Sequence, residues 1–312
     1  MTWRRGLAAL AVAALAVSLA AALGALHGSP GEAEAAPWTY AQAMSQRRSY
    51  IAAAQLGEEI YAAGGMVGES GRRLATFQRF DPKTNAWQTL APLPQPVRAA
   101  TAAALPGAVY VIGGDPVHGD GREVYAYDVA RGVWEERAPL PAPRINHSAV
   151  AFEGKIYALG GYAGGTEHAD VFVYDRRTNR WRKGVPIPEP EHAFDAVVFR
   201  GEIWVIGGRR GDRVLRSVWI YNPGARRWRA GPELPKPMEL LGAAVAGDEI
   251  HAIWESTYQI YDARTGKWRD GPPSLTARHG LNTFYVDGAL FTIGGCTTAL
   301  HDSQVVERRR LG

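Results

Sequence analysis

What most restricts the fold of this chain is a register of glycine pairs and tryptophans that repeats about every 47 residues. Gly-Gly ends an apolar run at Gly64-Gly65, Gly113-Gly114, Gly160-Gly161, Gly207-Gly208 and Gly294-Gly295. Tryptophan recurs at Trp38, Trp87, Trp134, Trp181, Trp228 and Trp268, with spacings of 49, 47, 47, 47 and 40. A further step of 47 from Gly207 lands on Trp254-Glu255, in a strand-like stretch that has lost its glycines. A repeat of this length means that one unit cannot bury its own apolar face, so neighbours must stack.

Each unit follows one pattern. An apolar strand ends in the glycine pair, as in Lys-Ile-Tyr-Ala-Leu-Gly-Gly, and a variable loop follows. An alternating strand then ends in an aromatic and an Asp or Asn: Phe80-Asp81, Tyr127-Asp128, Tyr174-Asp175, Tyr221-Asn222 and Tyr261-Asp262. The Trp lies seven residues after that aromatic in every case. A proline-rich stretch leads to another apolar strand, such as Ala149–Phe152, which makes four strands per unit. With 36 Gly and 20 Pro, the composition suits many short strands joined by turns.

These residues resemble Kelch repeats from Trp38 onward. The resemblance implies an all-β fold, a β-propeller in which each repeat is one four-stranded blade around a central channel. The count predicts six blades. Trp38 has no glycine pair before it, and Gly294-Gly295 has no Trp after it, so the two orphans complete one blade. The segment near Trp38 is expected to pair with the C-terminal strand near Gln304–Arg308, closing the ring and removing a free edge.

Residues 1–35 read as a separate element and 36–312 as the propeller. Arg4 and Arg5 precede a 20-residue apolar run, Leu7–Leu26, and Ala33-Glu34-Ala35 supplies a small-x-small cleavage site. That order is expected of a signal peptide, or of a signal-anchor helix if it is not cleaved. Export to the cell exterior, the periplasm or the outer side of a membrane follows, with the membrane touched only through this segment. Arg4-Arg5 also loosely resembles a twin-arginine signal. The single cysteine, Cys296, forms no intramolecular disulfide. A net charge of +4 from interspersed arginines gives no footprint for nucleic acid.

In Kelch propellers the loop after the glycine pair and the loop entering the inner strand share the face around the channel mouth. Ten residues after each Trp stand Arg48, Val97, Arg144, Glu191, Met238 and Arg278. Eleven after stand Ser49, Arg98, Ile145, His192, Glu239 and His279. Tyr50, Thr101, Asn146, His147, Ser148, Asp195 and Asn282 are the polar residues at the next three positions. The expectation is a polar funnel with converging arginines, suited to an anionic ligand because guanidinium forks grip carboxylates. Arg48, Tyr50, Arg98, Arg144, Asn146, His147, His192, Arg278, His279 and Asn282 are the candidate ligand contacts. Pairing of these arginines with nearby acids is the alternative.

In unit five only a few residues separate Glu255 from the next strand, so the wall of the mouth should be low there. A buried Glu255 there reads either as a base with a raised pKa or as a worn repeat. His118 with Asp120, His168 with Asp170, and His301 with Asp302 lie in different units, so no metal and no cofactor is expected.

Three functions fit. One is an exported binding module for a protein or glycan. The second is a sugar isomerase similar to the bacterial six-bladed Kelch enzyme that interconverts forms of N-acetylneuraminate. There Arg48, Arg144 or Arg278 would hold the carboxylate, and Glu191, Glu239 or Glu255 would move the proton. The third is a copper oxidase like galactose oxidase, whose companion domains are missing here. The export signal sets aside intracellular Kelch adaptors.

Overall fold

The structure, a computed structural model, describes residues 37–68, 71–297 and 301–312. The expected signal or anchor helix lies outside these residues. Among the described residues there is no helix, and the chain is organised as six four-stranded antiparallel sheets. Blade 1 consists of Ala52–Leu56, Glu59–Ala63, Phe77–Asp81 and Ala86–Thr89, from the axis outward. Blades 2 to 5 repeat this order, with inner strands Thr101–Leu105, Ser148–Phe152, Asp195–Phe199 and Gly242–Ala246. Blade 6 takes three strands from the C-terminus, Asn282–Val286, Ala289–Ile293 and Val306–Arg310. Its fourth strand is Thr39–Tyr40, paired Thr39↔Arg308 and Tyr40↔Glu307. The ring is a six-bladed propeller closed by its two ends, as the orphaned half-repeats require.

The spacing of seven between aromatic and Trp has a direct cause. The third and fourth strands form a hairpin whose register sets Phe80 opposite Trp87, Tyr127 opposite Trp134 and Tyr174 opposite Trp181. These rings meet at centroid distances of 5.0 to 5.2 Å. The Asp or Asn after the aromatic caps the hairpin turn through its side chain, as in Lys83 N–H to Asp81 at 2.8 Å and Ala225 N–H to Asn222 at 2.7 Å.

Each Trp indole then reaches into the neighbouring blade. Trp87, Trp134, Trp181, Trp228 and Trp268 donate to the carbonyls of Gln42, Ala91, Ala138, Val185 and Pro232, and Trp38 donates to Pro272. Each acceptor lies four residues past the preceding Trp, so the six bonds, 2.7 to 3.1 Å long, form a closed outer girdle.

The core sits between blades. Tyr61, Phe77, Val109 and Tyr127 pack blade 1 on blade 2, while Ile60, Phe80, Val286 and Phe291 pack blade 6 on blade 1. The glycine pair stands where the strand leaves its blade toward the next. Gly65, at φ +98°, donates to the Val97 carbonyl at 2.8 Å, and a Cβ there would lie 2.6 Å from the Ser49 carbonyl oxygen.

Candidate functional site

All crossings between blades lie on one face, and five consecutive residues of each crossing have fixed roles. The first of the five points into a blade. Arg48, Val97, Arg144, Glu191, Met238 and Arg278 are all buried. Arg48 donates to the carbonyls of Ala62, Gly64 and Thr76 and to Gln78 Oε1 at 3.0 to 3.3 Å. Arg278 donates to Gly294, Val305 and Thr292 at 2.7 to 2.9 Å and lies 3.6 Å from Glu307. Arg144 pairs with Asp170 at 2.7 Å, bonds the Pro143 carbonyl and stacks over Phe172. Where the strands leave the sheet their carbonyls lack ladder partners, and a fork of five donors satisfies several at once. Burial lowers the Arg48 pKa to about 10. These three arginines are therefore framework, and the expected convergence of Arg48, Arg144 and Arg278 on a ligand is corrected.

Glu191 occupies the same slot in blade 4. It is 1% exposed, accepts the Ser217 hydroxyl at 3.0 Å and leaves Oε1 without a partner. Burial pushes its carboxyl up to about 7. It faces the blade interior, so the proton-transfer role expected of it at the mouth has no geometry.

The second position forms the rim, where each residue meets the loop after a glycine pair. Ser49 bridges to Met66, Ile145 to Tyr162, His192 to Arg209 and His279 to Cys296, and Arg98 pairs with Asp115 in a two-stranded ladder. Arg98 and Arg73 both hold Asp115, at 2.8 and 2.6 Å. Burial raises that carboxyl, but the two guanidinium bonds outweigh it and keep its pKa below the ordinary range. Glu239 accepts Arg209 at 3.0 Å. The His192 ring packs against Tyr162, tilted by 47° with centroids 5.2 Å apart, and lies 3.8 Å from Glu167. Desolvation lowers its pKa.

The third position is a collar. Tyr50, Ala99, Asn146, Ala193, Leu240 and Gly280 all adopt φ between +47° and +64°. Ala99, Asn146, Ala193, Leu240 and Gly280 each donate their N–H to the carbonyl of the preceding member at 2.6 to 3.1 Å. The sixth link, Tyr50 N–H to Gly280 C=O, is not made. The gap falls at the seam between blades 6 and 1, where the outer girdle is intact.

The fourth position returns to the core: Ile51, Ala100, His147, Phe194, Leu241 and Leu281. His147 is 6% exposed and neither ring nitrogen has a partner. Desolvation, and then Arg144, lower its pKa to about 3, so it stays neutral. It replaces an aliphatic or aromatic core residue and is also part of the lining of the cavity at the mouth. The fifth position opens each inner strand, and Thr101, Ser148, Asp195 and Asn282 line the channel there.

A family model described as "KLHDC2/KLHL20/DRC7 Kelch-repeats domain" matches residues 50–253. The chain belongs to the Kelch-repeat family. Kelch-like protein 35 of Mus musculus is 45% identical over 56 residues, and that of Homo sapiens 43% over 56 residues. These matches cover 18% of the chain but 9% of each relative.

Within this Kelch propeller, then, the expected contacts separate. Tyr50, Asn146, His147 and Asn282 line the mouth, Arg98, His192 and His279 stand on the rim, and Arg48, Arg144 and Arg278 are buried in the blades. Glu255 is exposed, at the tip of the hairpin formed by Glu249–Trp254 and Thr257–Asp262, so the buried base expected there is absent. The wall at blade 5 is that tight hairpin alone, whereas two-residue ladders extend the wall at Met66–Val67, Asp115–Pro116, Tyr162–Ala163 and Arg209–Arg210. Asp115, Tyr162 and Arg209 escaped the count from tryptophan. Each directly follows a glycine pair, and a count from the pairs finds them.

Proposed function

We propose that the protein is an exported binding module whose ligand is another protein, held across the channel mouth. Kelch propellers are typically protein-binding modules, and one observation supports this use of the mouth. A trough runs outward from the collar over blades 2 and 3. Its first part, about 220 Å³, is lined by Tyr50, Met66, Arg98, Asp115, Ile145 and Asn146. Its second part, about 410 Å³, shares Asp115 and Ile145 and continues past Pro116, Asp120, Arg144, Tyr162 and Gly164. A trough with aromatic and aliphatic walls and a few fixed polar groups suits an extended segment of a partner. The isomerase reading has less support, because Arg48 and Arg278 bond carbonyls inside the blades and Arg144 is paired with Asp170. Export rests on the composition of residues 1–35.

The test is site-specific crosslinking on intact cells that make the protein, using a membrane-impermeant reagent. A cysteine at His192 on the rim should capture a protein partner, and one at Asn179 in a turn of the opposite face should not. Equal capture from both faces overturns the mouth as the binding surface. Labelling that requires broken cells overturns export.

A further inference from the structure

Two cavities meet on the axis of the ring. The outer, about 90 Å³, lies within the collar, and the inner, about 380 Å³, runs between the inner strands. They share Thr101, Ser148, Asp195 and Asn282. Below that level the walls are largely alanine, among them Ala102, Ala149, Ala196 and Ala243. With His147 held neutral, Asp195 is the single charged side chain among the residues lining either cavity.

The Asp195 carboxylate is fixed by donors rather than by a counter-ion. Oδ1 accepts the Ser148 hydroxyl at 3.0 Å and the Ala196 N–H at 2.8 Å, and Oδ2 accepts only the Ala243 N–H at 2.8 Å. Three other carboxylates of this face hold a guanidinium: Asp115 that of Arg73, Glu239 that of Arg209, Asp170 that of Arg144. Among the described residues no Lys, Arg or His forms an ion pair with Asp195. Burial therefore raises its carboxyl to about 6 against its three hydrogen bonds. The unmade collar link adds a second observation. Gly280 lines the outer cavity, and its carbonyl is the one collar acceptor without an N–H partner.

We propose that Asp195 anchors a lysine side chain of the bound protein, inserted through the collar as an alkylammonium. This rests on the reading of the mouth as a protein-binding surface and adds the chemistry it selects. An ammonium brings three donors, for Asp195 Oδ2, the Gly280 carbonyl and a side-chain oxygen of Thr101 or Asn282. Its alkyl stem lies against Tyr50 and Leu240, which suits an apolar stem and a charged tip. Inside a narrow cavity the attraction is much stronger than at the rim.

The experiment follows the Asp195 carboxyl by ¹³C NMR in the full-length protein, as a function of pH at constant ionic strength. The probe is N-acetyl-lysine amide, with its Nζ-acetylated form and glycinamide as comparators. The lysine probe should lower the Asp195 midpoint by about 1 pH unit or more, as an adjacent opposite charge does. The acetylated form and glycinamide, which lack the charge or the stem, should leave it in place. An unmoved midpoint with the lysine probe overturns the proposal, and an equal shift with glycinamide overturns the role of the stem. These readouts need no partner. Rim crosslinking with no midpoint shift removes the lysine anchor and keeps the mouth, and a shift without rim crosslinking does the reverse. Asp195→Asn should abolish the lysine-induced shifts of neighbouring Ser148 and Ala243 signals, and their survival in that variant also counts against the anchor.

Discussion

The slot that holds Arg48, Arg144 and Arg278 in three blades holds Glu191 in a fourth, and the exchange of charge has a measurable cost. An arginine there donates to carbonyls that would otherwise be unpaired. A glutamate has nothing to offer a carbonyl unless it is protonated, and Glu191 keeps one oxygen unpartnered. Its folded-state carboxyl titrates at about 7 against an ordinary value of 4.5 because of burial. For an acid raised in this way the neutral form suits the fold. The destabilisation begins near the unfolded value and grows until pH passes the folded one. Glu191→Gln should thus leave stability unchanged at pH 4 and raise it by on the order of 3 kcal/mol at pH 8. Urea unfolding at the two pH values measures this. A variant no more stable than the parent at pH 8 means that the Glu191 carboxylate has a counter-charge in the fold.

At the scale of strands and blades, closure depends on a short element. Thr39–Tyr40 contributes two residues to blade 6, yet Trp38 beside it is 4% exposed, packs edge-on against Tyr258 at 5.9 Å and completes the outer girdle through Pro272. Trp38→Ala should cost about 3–5 kcal/mol, the range for removing a large buried aromatic. The loss should appear as a lower Tm with the six-bladed ring still formed. Calorimetry checks it, and a change under 1 kcal/mol would show that the ring closes without the indole. This closure was legible in the sequence, because glycine pairs and tryptophans keep one register through the chain and leave two half-repeats that need each other. The facing of the crossing residues was not legible. Five consecutive residues alternate between blade interior, rim, collar, core and channel, and the left-handed turn at Tyr50, Ala99, Asn146, Ala193 and Leu240 sets that order. No residue type announces such a turn when Tyr, Ala, Asn and Leu all adopt it. Polar residues at the first and fourth positions, Arg144 and His147, consequently read like exposed loop residues although both are buried. The channel residues at the fifth position were readable as polar, but the isolation of Asp195 depends on where every arginine goes.

Across the whole molecule, three buried ionisable groups and Asp195 on the channel wall oppose one another over the neutral and mildly acidic range. His147 and His251 are buried and, by desolvation, held near 3, against about 6.5 when unfolded. Their stabilising contribution is complete above pH 6.5 and is lost as pH falls toward 3, because the unfolded chain binds the protons. Glu191 and Asp195 act in the other direction. Their folded values, about 7 and about 6, lie above ordinary values of 4.5 and 3.8, so stability is lost as pH rises between those limits. At about pH 5 the unfolded chain holds nearly two histidine protons and the folded chain nearly two carboxyl protons, and by about pH 6.5 each holds roughly one. The slopes therefore almost cancel, and the unfolding free energy should vary by less than about 1 kcal/mol across that interval. Below pH 4 the cancellation ends, because the unfolded carboxyls also bind protons, and stability should fall steeply. His147→Leu separates the two effects. Leucine is the residue at the equivalent position in two other crossings, Leu241 and Leu281, so it suits the site. With one histidine removed, the carboxyls dominate, and stability should decline by about 1 kcal/mol per pH unit from 5 to 6.5. Denaturant unfolding of parent and variant at half-unit pH steps reads this as a difference in slope. Parallel profiles would mean that His147 is protonated in the folded protein, against both its desolvation and the nearby Arg144 charge.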